Sequence, residues 1–133
     1  MTMPSTELTG LVAAAALGLV HIVLASHSAS LQRGYRWSAG SRDGPITPLD
    51  GVAGRLGRAS ANFLETFPFF AAATLAVLAT ETHSSWSRWG VILYLVGRIA
   101  YLPLYAFGVF LVRSVAWNIA IAGIAAIDVG LFV

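Results

Sequence analysis

The chain predicts an all-α integral membrane protein, a bundle of four spanning helices. Two observations carry that class. Across 133 residues, 57% are hydrophobic and 11% charged, with a mean hydropathy of +0.76, far more apolar than a soluble domain. Four apolar stretches also each supply the roughly 20 residues that a spanning helix requires.

The first helix is expected at about 8–31. Ala25-Ser-His-Ser-Ala29 within it has the small residues of a signal-peptide cleavage site, but the stretch opens on Glu7 rather than a basic residue and is long enough to span. The second is expected at about 52–80, its apolar part preceded by a polar extension from about Val52 to Asn62. The third covers about 86–110 and the fourth about 112–133. Between the first two lies the one long hydrophilic segment, Gln32 to Arg58, holding Arg33, Arg36, Arg42, Arg55 and Arg58, with Gly40, Gly44, Pro45, Pro48 and Gly51 as loop punctuation. Five arginines place this loop on the cytoplasmic side, and the even number of spans puts both termini on the other side. Trp86, Trp89, Tyr94 and Trp117 include candidate interfacial anchors, with Tyr94 equally able to pack in the core.

Eight basic residues, all arginine, against six acidic ones give a net charge of 8 − 6 = +2, too small and dispersed for a nucleic-acid partner. The absence of cysteine excludes disulfides, thiolate metal sites and a cysteine nucleophile.

Three polar clusters interrupt the apolar stretches. Arg58, Asn62 and Glu65 stand at i, i+4 and i+7 and share one helical face ahead of Pro68. Arg98, Tyr101 and Tyr105, at i, i+3 and i+7 around Pro103, share another. Arg113-Ser114 opens the fourth helix, with Trp117 one turn later. Such groups must face protein or water, because lipid would leave them unpaired at a cost of several kcal/mol. The expected partner of Arg98 is Glu65. Each proline removes a hydrogen bond, to Leu64 and to Ile99, so bends are expected near both polar faces.

Plainer readings stand beside these. Glu65 and Arg98 also read, less favourably, as a structural ion pair, and Arg58 as a topology charge. His21 lies on an apolar helix and reads as a packing residue; His27, His83 and Asp128 read as interfacial. No second ligand accompanies His21 at metal spacing, and no histidine base lies near Ser114 in the sequence, so neither a metal site nor a hydrolytic triad is expected.

Arg58-x-x-x-Asn62-x-x-Glu65-x-x-Pro68-Phe69, then Gly97-Arg98-x-x-Tyr101-x-x-x-Tyr105, then Arg113-Ser114, resembles the membrane-associated proteins in eicosanoid and glutathione metabolism (MAPEG), the group of microsomal glutathione transferases and microsomal prostaglandin E synthase. The likeness extends over nearly the whole chain, and its style is that of a bacterial member, which implies an inner-membrane location. The resemblance implies a homotrimer of four-helix bundles with membrane lipids around it and glutathione, as co-substrate, between subunits near the cytoplasmic face. It implies that Asn62 and Glu65 contact the peptide part of glutathione, Glu65 its ammonium group, and that Tyr101 and Tyr105 help hold the ligand. Arg113 and Ser114 match the pair beside the sulfur, Arg58 the first arginine of the second-helix motif, Arg98 a structural or ligand-supporting arginine, and Trp117 an aromatic position of the site. One departure is Ala61, where the prostaglandin synthase type carries a glutathione-contacting arginine; that activity is not expected.

The chemistry agrees with these residue types. A thiol is mostly protonated at neutral pH, and a neighbouring arginine, which keeps its own proton, favours the nucleophilic thiolate. Arg113 is the expected source of that charge and Ser114 of a hydrogen bond to sulfur. The sequence therefore points to a membrane glutathione transferase or glutathione-dependent peroxidase acting on lipophilic electrophiles. Two alternatives come from other classes: a non-catalytic trimer binding a lipid or small anion in the same crevice, and a small multidrug transporter. The transporter would be expected to carry a carboxylate deep in its first helix, where this chain has only His21.

Overall fold

The computed structural model describes residues 3–133 and contains five helices and no strand among them: α1 Thr6–Arg33, α2 Tyr35–Ala39, α3 Gly51–Thr80, α4 Ser85–Ala106 and α5 Val112–Val129. Four of the five (α1, α3, α4 and α5) are long and apolar enough to cross a membrane. Large apolar side chains such as Leu19, Val23, Phe69, Val96 and Ile99 face outward, where a membrane protein presents hydrocarbon.

The ends of the helices follow local chemistry. Ser5 caps α1, its hydroxyl accepting from the Leu8 amide at 3.2 Å. Gly34 ends α1 at φ +93°, in the left-handed region that glycine enters without strain. Ser84 and Ser87 form a reciprocal capping box at the start of α4. α4 stops at Ala106 rather than near 110, because Gly108 turns at φ +68° and the Val109 amide folds back onto the Leu104 carbonyl at 2.9 Å. α5 stops at Val129 rather than 133, where the Gly130 amide closes onto Ala126 and a turn follows. Pro68 and Pro103 lie inside continuous helices.

The long connection between α1 and α3 is tied down. Gln32 Nε2 donates to the Asp50 carboxylate while its Oε1 accepts from the Asp50 backbone amide, and Arg33 Nε donates to the Thr47 carbonyl at 2.8 Å. This anchors the polar start of α3 beside the end of α1.

The bundle is held by aromatic packing and by small residues. Phe70 of α3 stacks on Tyr94 of α4 with centroids 3.9 Å apart and planes 7° off parallel, amid Ala14, Val77, Val91, Ala120 and Ile127. Tyr94 is thus core and not an interfacial anchor. α4 and α5 approach closely where their small residues face each other: a Cβ on Gly97 would lie 2.7 Å from the Ala116 carbonyl oxygen, and one on Gly90 2.5 Å from that of Gly123. Such contacts substitute in a membrane for the hydrophobic drive that lipid removes.

One polar knot ties the bundle at the end opposite the long loop. Glu7, 1% exposed, accepts from Ser87 Oγ at 2.6 Å and pairs with His83 Nδ1 at 3.2 Å. It joins the first turn of α1 to the α3–α4 connection and the first turn of α4. His83, expected as a simple interfacial residue, is engaged here.

Candidate functional site

Three helices bring the polar clusters together. α3 supplies Arg58, Asn62 and Glu65, α4 supplies Arg98, Tyr101 and Tyr105, and α5 supplies Arg113, Ser114 and Trp117. Six of these, Asn62, Tyr101, Tyr105, Arg113, Ser114 and Trp117, line one recess of about 220 Å³. Its geometry is cationic over aromatic. The Arg113 guanidinium carbon lies 4.6 Å from the Tyr105 ring centroid, and the Tyr101 and Tyr105 rings are 5.4 Å apart. Arg58 stands behind this wall, its Nε donating to the Tyr105 hydroxyl at 3.3 Å. Asn118 holds the first turn of α5 by donating to the Ser114 carbonyl at 2.8 Å, and Ser114 lines the recess.

The turn into α5 is conformationally costly. Leu111, its N-cap, sits at φ +62°, a region that costs a non-glycine residue about 1–3 kcal/mol. Arg113 and Ser114 follow at the second and third positions of the helix, so this turn aims both at the recess. On the other side, Arg55 Nε donates to the Ala106 carbonyl at 2.7 Å and secures the end of α4.

Arg98 departs from the expectation that Glu65 is its partner. It is wholly buried, donates through Nη1 to Asn62 Oδ1 at 2.9 Å, and lies 4.7 Å and 5.2 Å from the Tyr101 and Phe63 ring centroids. Glu65 is exposed and makes no hydrogen bond or ion pair among the described residues. Asn62 and Glu65 share a helical face but are offset around the helix, so the amide turns toward α4 and the carboxylate toward α5.

Glu65 lines a second cavity, an open groove of about 640 Å³ between α3 and α5, with Thr66, Phe69, Ile121, Ile124 and Asp128 among its walls. Asn62 and Trp117 belong to both cavities, so the recess and the groove adjoin. The buried Trp117 Nε1 has no hydrogen-bond partner. Trp117 thus lines both cavities. Beyond Trp117, the groove's α5 wall escaped the sequence reading, although Trp117, Ile121, Ile124 and Asp128 stand at i, i+4, i+7 and i+11, a single helical stripe that periodicity could have found.

His21 is buried and stacks on Phe63 at 4.7 Å, as a packing residue does, yet neither ring nitrogen has a hydrogen-bond partner. Among the described residues, no three histidine, aspartate or glutamate side chains converge to hold a metal ion.

These features define a class: a four-span helical membrane protein with a polar recess, walled in part by Arg113, beside a largely apolar groove. The sequence model of the MAPEG family matches residues 10–133, and the chain belongs to that family. No curated protein and no solved structure matches it.

Proposed function

We propose that the protein is a membrane-embedded glutathione transferase, or a peroxidase using glutathione, that acts on lipophilic electrophiles. The observation that carries this reading is the convergence of Asn62, Tyr101, Tyr105, Arg113, Ser114 and Trp117, drawn from three helices, on one recess that adjoins a largely apolar groove. Family membership supports the same chemistry. In this reading the glutathione sulfur sits by Arg113, whose fixed positive charge favours the thiolate, and Ser114 donates a hydrogen bond to it. Tyr101, Tyr105 and Asn62 orient the tripeptide, and the exposed carboxylate of Glu65 receives its ammonium group. Arg98 acts behind the ligand by fixing Asn62. The electrophile enters from the bilayer along the α3–α5 groove, so the two reactants meet at Asn62 and Trp117 and the encounter becomes effectively intramolecular.

The same reading includes a homotrimer. At about 220 Å³ the recess is smaller than the roughly 300–1,000 Å³ of pockets that enclose a ligand of drug size, so one chain supplies only part of the tripeptide's enclosure. Glu65 is unpaired on an open face, where a neighbouring subunit would shelter it. The arginine-rich loop lies on the cytoplasmic side, with both termini opposite.

Calorimetric titration of the purified protein in nanodiscs with glutathione tests the reading. Saturable binding, coupled to turnover of a chromogenic electrophile, is expected. Absence of both replaces the transferase with a non-catalytic binding protein.

A further inference from the structure

We propose that His21 is a positioning residue for the recess, accepting from the free edge of Arg98 through one buried water and so helping to hold Asn62. This rests on the reading of the recess as the glutathione site, and it employs a buried histidine that the proposed chemistry leaves idle. Arg98 reaches the Phe63 ring from α4 and His21 reaches it from α1, at 5.2 Å and 4.7 Å from its centroid. The guanidinium is close enough for its charge to act on the imidazole. Both side chains are withdrawn from solvent, His21 at 1% exposure and Arg98 at 0%. Asn62 occupies Nη1 of Arg98, but Nε and Nη2 have no partner, and neither nitrogen of His21 has one.

The two unpartnered edges are complementary. A guanidinium only donates, whereas a neutral imidazole keeps one nitrogen as an acceptor. The Nε and Nη2 hydrogens form one edge of the guanidinium plane, a fork of fixed geometry. Among the described residues no carboxylate lies within ion-pair distance of Arg98, and the nearby Tyr94 hydroxyl is already shared with Thr66. A water that accepts from Nε and Nη2 and donates to one imidazole nitrogen employs three of these four unpartnered atoms, about the number of bonds a buried water makes. It relieves buried donors that are costly to leave unmet, which ring stacking alone does not do. The effect extends to the recess because Arg98 holds Asn62 and Asn62 lines its wall.

The test begins with nuclear magnetic resonance of the full-length protein in nanodiscs, its histidine nitrogens isotopically labelled and the His21 signals assigned by their loss in His21→Gln. A neutral imidazole whose acceptor nitrogen is shifted by hydrogen bonding and receives magnetisation from water is expected. A free acceptor nitrogen, or no transfer from water, overturns the proposal without any variant having to fold. Glutathione titration then reads the link to the recess. His21→Leu should weaken binding about fivefold, and either His21→Gln or His21→Asn, which return an acceptor near one or the other ring nitrogen, should restore it. The loss in His21→Leu should vanish in an Asn62→Ala background, because it passes through Asn62. Wild-type affinity in His21→Leu, no rescue by either amide, or an undiminished loss in the Asn62→Ala background would overturn the positioning role. A melting temperature that rises as chloride replaces a bulky anion at constant ionic strength would put an anion in the fork and overturn the water. If wild type shows the water-bonded imidazole but binds no glutathione, the glutathione reading fails while the buried link stands. If glutathione binds and that signature is missing, the role of His21 alone fails.

Discussion

Arg98 Nη1 donates to Asn62 Oδ1 at 2.9 Å from a position with no solvent exposure, so a guanidinium in the middle of a spanning helix is held by a neutral amide and two aromatic faces. The arrangement links the core to the recess through Asn62, because the one residue that hydrogen-bonds the buried guanidinium, whose Nε and Nη2 have no partner among the described residues, also lines both cavities. Asn62→Ala should therefore lower thermal stability in detergent, by about 1–3 kcal/mol for the stranded donor, as well as weaken glutathione binding. Asn62→Asp should restore stability by giving Arg98 a counter-ion. Melting curves of the two variants check this, and equal melting temperatures for wild type and Asn62→Ala would count against it.

The Glu7 knot makes a prediction far from the recess. Ser87→Ala removes the 2.6 Å hydrogen bond to a buried carboxylate and should destabilise the bundle by roughly 1.5–3 kcal/mol, with glutathione affinity unaffected. Thermal unfolding and calorimetry on one preparation separate the two effects.

Gly97 faces Ala116 and Ala120 at a distance that leaves no room for a side chain. Gly97→Leu should push α5 from α4, displace Arg113 and Ser114, and abolish both folding stability and binding, whereas Gly57→Ala, in open space on α3, should be silent. Yield of monodisperse protein distinguishes the pair.

Orientation in the membrane follows from the arginines of the first loop. With no cysteine in the background, single cysteines replacing the exposed Ser41 and Thr82 should label from opposite sides of sealed vesicles, Ser41 from the cytoplasmic one. Labelling from the same side would contradict four crossings.

Much of this architecture was legible because membrane helices announce themselves by length and apolarity, and because Arg58, Asn62 and Glu65, like Arg98, Tyr101 and Tyr105, repeat at helical spacing. Spacing assigns residues to faces of one helix and says little about which faces meet. Hence Glu65 was expected opposite Arg98, while the packing of α3 against α4 brings Asn62 there. Glu7 and Ser87 lie 80 positions apart and only tertiary structure joins them. The helix ends at Ala106 and Val129 were overrun because apolar turn residues continue the hydropathy signal past the last helical hydrogen bond.

The central claim, that Arg113 favours a glutathione thiolate in this recess, is tested most directly by following thiolate ultraviolet absorbance as the protein is titrated with glutathione at neutral pH. Wild type should develop a saturable signal. Arg113→Leu, confirmed to keep its assembly, should lose a charge-assisted interaction worth roughly 1.5–3 kcal/mol, and its thiolate fraction and conjugation rate should fall about ten- to a hundredfold. A wild-type thiolate signal and rate in Arg113→Leu would contradict the assignment.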